Sequence, residues 1–421
     1  MKINRDHYLN QLIAGRHNRL IKIVTGIRRS GKSFLLFELF REYLSRQGIA
    51  NDHIIEVALD DRRNIELRDP DKMLQYIDSL MTDKEMYYIL LDEVQMMDDF
   101  VGVLNSLLHV RNADVYVTGS NSRFLSKDVA TEFRGRGDEI HLYPLSFAEY
   151  YSAIGGEKQA RWKEYYTFGG LPQLLTLEGS KKKEDFLLSL QESVYIKDIL
   201  ERHRIKNKSE FEELLRVIAS AIGSPCNPYK LSRTFKSVKG ISIDNKTISN
   251  YLSYMEDAFF VEKAFRFDIK GKKYINTLSK YYFQDMGLRN ALLGFRQLEE
   301  NHIMENVIYN ELRNRGFRVD VGMVAVRTTD TLNQTIRKQL EVDFVANRGN
   351  KRYYIQSAFA MPDEEKKNQE FAPLRNIDDS FKKIIIAKDD IMPYLNENGF
   401  MIMGLFDFLL DSNSLEENGY L

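Results

Sequence analysis

Short, continuous apolar runs alternate with helix-period stretches over the first third of the chain. Leu20–Thr25, His53–Leu59, Tyr87–Glu93 and Asp114–Thr118 read as strands, with a further one at Glu139–Leu142. Unbroken apolar runs are what strands buried on both faces of a parallel sheet require. A short helix is expected within residues 1–19, another from Phe34 to Phe40, and a third from Pro70 to Leu80. From Ser146 to about Arg204 the apolar spacing is helical throughout, ending in an amphipathic helix over Asp185–Arg204. Phe147, Tyr150, Tyr151 and the aromatics of Trp162–Phe168 fall at helical spacing, which predicts core packing rather than a nucleobase cage. Gly169-Gly170-Leu171-Pro172 interrupts these helices with a fixed bend.

Residues 209–285 read as a winged helix-turn-helix. Phe211–Ala219 is helical, Pro225-Cys226-Asn227-Pro228 breaks it, Lys230–Phe235 is a short helix, and Asn245–Glu256 stands as the recognition helix. Phe259–Ala264 and Lys273–Asn276 are expected to pair as the wing. Residues 286–421 begin with a helix over Asn301–Arg315. Strands follow at Arg318–Val326, Leu340–Ala346, Lys351–Ala358 and Lys383–Ala387. The fold class expected is α/β: a phosphate-loop core with a parallel sheet (1–145), a helical lid (146–208), the winged helix-turn-helix (209–285), and a last α/β domain (286–421).

Composition narrows the classes only modestly. With 43% hydrophobic and 29% charged residues the chain is ordinary globular material, and its net charge of -1 gives no global attraction to nucleic acid. Residues 201–285 differ: 16 Lys and Arg against 10 Asp and Glu make that segment locally basic, compatible with contact to phosphate backbones. Lys246, Ser249, Asn250 and Tyr254 are candidates to face a DNA groove, with Lys270, Lys272 and Lys273 at the wing tip. A protein partner for this segment is the competing reading. Cys226 is the only cysteine, so no intrachain disulfide forms, which fits a reducing, cytoplasmic setting. No signal-peptide core opens the sequence, and no run of about eighteen apolar residues predicts a membrane helix.

The chemistry concentrates between the first strand and the helix after it. Gly26-Ile27-Arg28-Arg29-Ser30-Gly31-Lys32-Ser33 has the form G-x-x-x-x-G-K-[ST], followed by Phe34 at the helix start. The glycines let backbone amides approach phosphate oxygens, and the helix N-terminus favours the anion. Lys32 is placed to reach β- and γ-phosphates, and Ser33 to hold Mg²⁺. Asp92 and Glu93 end the third strand, where ligands bind in open α/β sheets. Asp92 is assigned to the metal shell with Ser33, and Glu93 to the attacking water. Ser120 and Asn121, after the fourth strand, are both candidates to contact the γ-phosphate or position water. Arg136 is preferred over Arg134 as a transition-state arginine. Arg5, Arg16 and Arg19 are candidates to touch nucleotide, with exposed surface charge the preferred reading.

These motifs resemble those of a bacterial and archaeal ATPase family with an AAA-type core and a C-terminal DUF4143-type domain. The resemblance rests on residues 26–33, Leu91-Asp92-Glu93-Val94-Gln95, Thr118-Gly119-Ser120-Asn121-Ser122, Gly135-Arg136, Tyr143-Pro144-Leu145-Ser146-Phe147 and Gly169-Gly170-Leu171-Pro172. It implies ATP as the nucleotide, Mg²⁺ as the metal and Glu93 as the additional catalytic glutamate, in a branch closer to signal-transduction ATPases than to ring-forming unfoldases. It also implies that the Gly-Gly-x-Pro bend sits against the nucleotide as part of the lid. Self-assembly into a homo-oligomer is compatible with such a protein, and whether Arg136 serves its own chain or a neighbour depends on it.

The last domain resembles the restriction-endonuclease-like core. Glu305 stands as the helix acid, Asp343 as the second acid, and Gln356-Ser357-Ala358 where Gln/Glu-x-Lys belongs. Alanine at 358 removes the cation, and the sequence offers no obvious replacement, so the nuclease site is expected to be degenerate. An ATP-driven switch or motor is the leading function; an ATP-regulated nuclease and a nucleotide-binding scaffold without turnover are the alternatives.

Overall fold

The computed structural model describes residues 2–119, 135–240, 242–329 and 335–416. The chain divides into two compact units, one comprising residues 1–144, 171–176 and 257–259, the other 145–170, 177–256 and 260–421.

The first unit is a five-stranded parallel sheet: β1 Ile21–Thr25, β2 Ile54–Ala58, β3 Tyr87–Asp92, β4 Ala113–Thr118 and β5 Gly137–His141, in the order β2-β3-β4-β1-β5. The apolar runs are continuous because both faces are covered. In β3, Tyr87, Ile89 and Leu91 pack with Met73, Ile77, Phe100 and Leu104 on one side. Tyr88 and Leu90 pack with Leu12, Leu35, Leu39 and Phe40 on the other. The helix after β1 starts at Lys32–Phe34, continues through a π-helical stretch at Leu35–Phe40 and ends as Arg41–Arg46. Helix Pro70–Leu80 begins where Asp69 accepts hydrogen bonds from the amides of Asp71 and Lys72, with proline at the first helical position.

The second unit combines helices with an eight-stranded mixed sheet. Its strands are β6 Val261–Asp268, β7 Lys273–Phe283, β8 Arg318–Thr329, β9 Thr335–Arg348, β10 Lys351–Ala358, β11 Lys382–Ala387, β12 Tyr394–Leu395 and β13 Met401–Gly404, ordered β12-β13-β11-β10-β9-β8-β6-β7. The three helices Lys208–Ser220, Pro228–Thr234 and Asn245–Asp257 precede the β6–β7 hairpin, as the sequence pattern predicts. That hairpin is not a free wing: β6 runs parallel to β8, so the two strands close one end of the large sheet. Helix Glu364–Arg375 covers one face, with Phe371 and Leu374 against Val342, Val345 and Tyr354. Helix Glu300–Asn314 covers part of the other, where Tyr309 stacks on Tyr282 at 4.1 Å.

The aromatics of the expected lid are core. Trp162, Tyr165 and Phe168 are buried, and the Trp162 indole donates to Glu300 Oε1 at 2.7 Å. The Gly169-Gly170 bend is held by Asp285, whose Oδ2 accepts from the Gly170 amide at 2.8 Å. Gly169 has φ 83°, and a Cβ there would lie 2.3 Å from Asp285 Oδ1, so both backbone conformation and space demand glycine. Burial pushes the Asp285 carboxyl up to about 6, although backbone amides at Gly170, Leu288 and Gly287 pull it back.

Candidate active site

Three neighbouring strands bring the candidate residues together. β4 lies between β1 and β3, with Val24 paired to Thr118 and Leu91 to Val117. The C-terminal tips of these strands therefore place the loop after β1, the Asp92-Glu93 pair and Thr118 side by side. Gly26, at φ 140°, fits because a Cβ would approach Leu142 O to 2.2 Å. Gly31, at φ 98°, turns the chain into the helix that Lys32 opens.

Lys32 is 4% exposed, and its ammonium donates to the carbonyls of Gly26 and Ile27, both at 3.1 Å. Burial lowers its pKa from the usual lysine value; Glu93 and Asp92 oppose that shift and Arg28 adds to it. Ser33 Oγ donates to Asp92 Oδ2 at 2.7 Å. The Thr118 hydroxyl donates to the other oxygen of Asp92, and accepts from the Glu93 amide at 3.0 Å. Burial raises the Asp92 carboxyl above the ordinary range, hydrogen bonds from Thr118 and Ser33 pull it down, and Glu93 and Asp60 push it up again. Glu93 adopts φ 53°, left-handed for a residue with a side chain, which concentrates backbone strain at the residue assigned to the water. Its carboxylate accepts from the Gln95 side-chain Nε2.

Several other expectations are located by this geometry. Arg28 is partly buried, while Arg29, Ser33 and Phe34 are exposed at the loop and helix start. Ser30 is buried, and Ile27 is in the core. Ser120, Asn121 and Arg134 lie outside the described residues. Arg136 is not brought to the loop: it precedes β5, its carbonyl accepts from the amide of Ile21, and its guanidinium donates to Asn105 Oδ1 at 2.9 Å. Because β5 is parallel to β1, that is the edge of the sheet opposite the loop, about 16 Å away along a strand rising roughly 3.3 Å per residue. An arginine at that edge does not serve the loop of its own chain.

Arg5 departs from the surface role expected of it. It is 4% exposed, donating to Ser30 O at 3.2 Å and to Tyr143 O at 2.7 Å, with Tyr8 beneath its guanidinium. It thus ties the phosphate loop to the segment after β5. Thr118 is the site residue missed by sequence reasoning, and Arg5 is one that such reasoning sets aside in favour of a surface role. The signal for Thr118 was a hydroxyl at the tip of an otherwise apolar parallel strand. Nothing local marks Arg5. Pro172 lies against the loop, since the nearest group to a Cβ at Gly31 would be Pro172 Cγ at 3.7 Å.

In the second unit, Glu305 and Asp343 come together and Gln356 does not join them. The β8–β9 register passes from Asp320↔Val345 to Gly322↔Val342, so Asp343 and Phe344 both oppose Val321 in a bulge. Val342 and Val345 pack toward helix Glu364–Arg375. Phe344 lies with Tyr282 and Tyr309 on the other face. Gln356 follows Ile355, which pairs with Phe344, and its amide donates to Glu370 of the first face at 3.3 Å. The missing lysine is present, from an unexpected strand: Lys280 of β7 lies 2.9 Å from Glu305 and 2.8 Å from Glu341. Burial lowers the Lys280 pKa, and Glu305, Asp343 and Glu341 together overcome that and raise it. Asp343 is pushed well up, first by burial and then by Glu305.

Of the helix expected to read DNA, Lys246, Ser249 and Asn250 are exposed, but Tyr254 stacks on His203 at 3.8 Å and is not free to enter a groove. At the hairpin turn, Lys272 and Lys273 are exposed and Lys270 approaches Asp378 at 3.7 Å. Cys226 is half-buried, and burial pushes its thiol up to about 11. Among the described residues, no helix is long and apolar enough to cross a membrane.

Comparison with known proteins extends these observations. A model of the AAA domain matches residues 18–151, and a model of a domain of unknown function, DUF8612, matches residues 159–299. The latter designation differs from the DUF4143 type suggested by the sequence motifs. Solved structures with local likeness include the Aeropyrum pernix ORC1 protein in complex with DNA, at 13% identity and TM-score 0.29 over 69% of this chain and 92% of that one. AMPPCP-bound DnaA from Aquifex aeolicus matches at 14% identity and TM-score 0.31 over 59% of this chain and 85% of that one. An uncharacterized protein of Methanocaldococcus jannaschii, MJ1544, is 28% identical over 87% of this chain and 80% of its own length. An uncharacterized protein of Haemophilus influenzae is 34% identical over 91% of this chain and 93% of its own length. At that identity and coverage the chain belongs to the family of the Haemophilus influenzae protein, and within it residues 18–151 form an AAA domain.

Proposed function

We propose that this protein binds ATP with Mg²⁺ and hydrolyses it as a molecular switch or motor, passing nucleotide state to a C-terminal region that contacts DNA or protein. The observation that carries this reading is the triangle of Lys32, the Ser33–Asp92 pair at 2.7 Å and Glu93 at the strand tips. The loop amides and Lys32 would bind the β- and γ-phosphates, with the ammonium exchanging two loop carbonyls for phosphate oxygens. Ser33 and Asp92 are hard oxygen donors suited to Mg²⁺, which when bound would neutralise charge on the β- and γ-phosphate oxygens. Thr118 fixes Asp92 and the Glu93 backbone, so Glu93 is presented to a water rather than folded back. The water oxygen attacks the γ-phosphorus, the bond to the β-phosphate oxygen breaks, and the water's proton passes to Glu93, leaving ADP and phosphate.

Residues 1–145 act in this reading as the ATPase core, 146–208 as its lid, 209–285 as the winged helix-turn-helix and 286–421 as a nuclease-like domain. Arg136 reaches the phosphates of a second copy, which makes turnover dependent on homo-oligomer formation. Double-stranded DNA is the partner favoured for residues 209–285, because Lys246, Ser249 and Asn250 are exposed on one helix. The test is Mg²⁺-dependent ATP turnover by the purified chain with and without duplex DNA, alongside its mass in ATP. Turnover that rises with DNA and with assembly is expected. Tight ATP binding without turnover under any of these conditions would instead make it a nucleotide-binding scaffold.

A further inference from the structure

A cavity of about 180 Å³ in the second unit belongs to neither cluster described above. Its walls come from helix Lys208–Ser220, helix Pro228–Thr234, the segment between them and Tyr281 of β7. Cys226 joins that segment to the outer edge of β7, its amide donating to Ser279 O at 2.8 Å. Val217, Ile218, Pro225 and Leu231 supply an apolar wall. An apolar space of about 150 Å³ holds a benzene ring, so this cavity has room for one ring-sized body. Two polar groups at the cavity are unused. Tyr281 is 7% exposed, yet its hydroxyl makes no hydrogen bond among the described residues. Burial and Glu256 push that phenol above its usual value, so it stays a donor. A buried hydroxyl without a partner costs free energy that a ligand acceptor would recover. Lys230 lines the cavity and is exposed, and no carboxylate pairs with it among the described residues. Glu256 acts on Tyr281 and Lys263 on Cys226 with opposite signs, which leaves the Lys230 ammonium as the surplus charge.

We infer that this cavity binds a small aromatic carboxylic acid, whose ring lies on the apolar wall and whose carboxylate pairs with Lys230 and accepts from the Tyr281 hydroxyl. The basis is complementarity. An ammonium and a phenol that both seek an acceptor select an ionised carboxylate, which only accepts, over an amide or an amine, which also donate. The apolar wall favours an organic anion over a fully hydrated inorganic one. A ligand seated there touches both helices and the edge of the sheet, and holds the three together. The site is therefore regulatory for the helices proposed to contact DNA, although its existence rests neither on that reading nor on ATP hydrolysis.

The test titrates the full chain, without nucleotide, with benzoate and with benzamide, its uncharged analogue of the same shape. Binding is followed by the NMR line widths of the ligand and by Tm, which a ligand of the folded state raises. Benzoate is expected to bind with a dissociation constant of about 1 mM or lower, and benzamide at least about tenfold more weakly. Tyr281→Phe keeps the ring and removes the hydroxyl, and Lys230→Ala alters an exposed position. Each should weaken benzoate by about tenfold. Lys236→Ala, at an exposed lysine outside the cavity, should leave it unchanged. Three results would overturn the inference: no benzoate binding at tens of millimolar, benzamide binding as tightly as benzoate, or benzoate affinity unchanged in either Y281F or K230A. None of these readouts involves ATP or DNA, so a failure here is distinguishable from a failure of the ATPase reading.

Discussion

Lys32 in the first unit and Lys280 in the second are both buried beside carboxylates, yet their surroundings differ in kind. Lys32 makes its close contacts to backbone carbonyls, with Asp92 and Glu93 acting on it electrostatically, and burial leaves its pKa lowered. Lys280 is in direct ion pairs with Glu305 and Glu341, and its pKa is raised despite burial. A lysine held by exchangeable carbonyl contacts, and made uncomfortable by burial, is poised to accept an anionic ligand. A lysine already neutralised by two carboxylates has nothing to gain from one. On the proposed reading the same residue type marks a binding site in the first unit, whereas in the second it is ion-paired within the fold, and the difference lies in the partners rather than in burial.

That contrast gives opposite mutational signatures. Lys280→Met should remove about 1–3 kcal/mol of stability, because it leaves the partly buried Glu305 and Glu341 without their cation, and chemical unfolding followed by circular dichroism measures it. Lys32→Met should leave Tm unchanged or raised, since the folded state holds that charge unfavourably. It should instead weaken ATP binding by roughly a hundredfold or more, read by calorimetric titration. If K32M lost stability and K280M did not, the assignment of the two lysines would be reversed. A smaller effect is expected at Thr118. Thr118→Val keeps the shape but removes the hydroxyl that links Asp92 to the Glu93 amide. Turnover should fall about 10–100-fold, as when an outer-shell partner is lost, while ATP affinity changes little.

The regions that the sequence made legible are those where one physical constraint acts alone. The strands around Ile21–Thr25 and Tyr87–Asp92 were visible because burial on both faces demands unbroken apolar runs. Ser33 and Asp92 could be paired from the sequence because the loop motif and the strand end each call for an oxygen-bearing side chain, and the structure brings the two within 2.7 Å. The C-terminal strands were visible too, but which side chains meet on them was not. A single extra residue in β9 turns Asp343 and Phe344 to one face and leaves Gln356 on the other. Such a bulge has no local signature among alternating residues. Lys280 was hidden for a related reason: it stands in a strand that reads as a wing, and only the pairing of β6 with β8 carries that hairpin into the large sheet. Arg5 was hidden because its partners, Ser30 and Tyr143, are carbonyl groups that any sequence supplies. Arg136 was found as a residue but not as a position, since the parallel pairing of β5 with β1 sets which sheet edge it occupies.

The central claim is that the first unit hydrolyses ATP with Glu93 directing the water. Glu93→Gln tests it most directly, because the amide keeps the shape and the strained backbone while losing the capacity to take a proton. ATP binding by the variant and its Mg²⁺-dependent phosphate release are measured together. The account predicts binding equal to that of the wild type with turnover reduced to background. Turnover at the wild-type rate with binding intact would contradict it and remove Glu93 from the reaction.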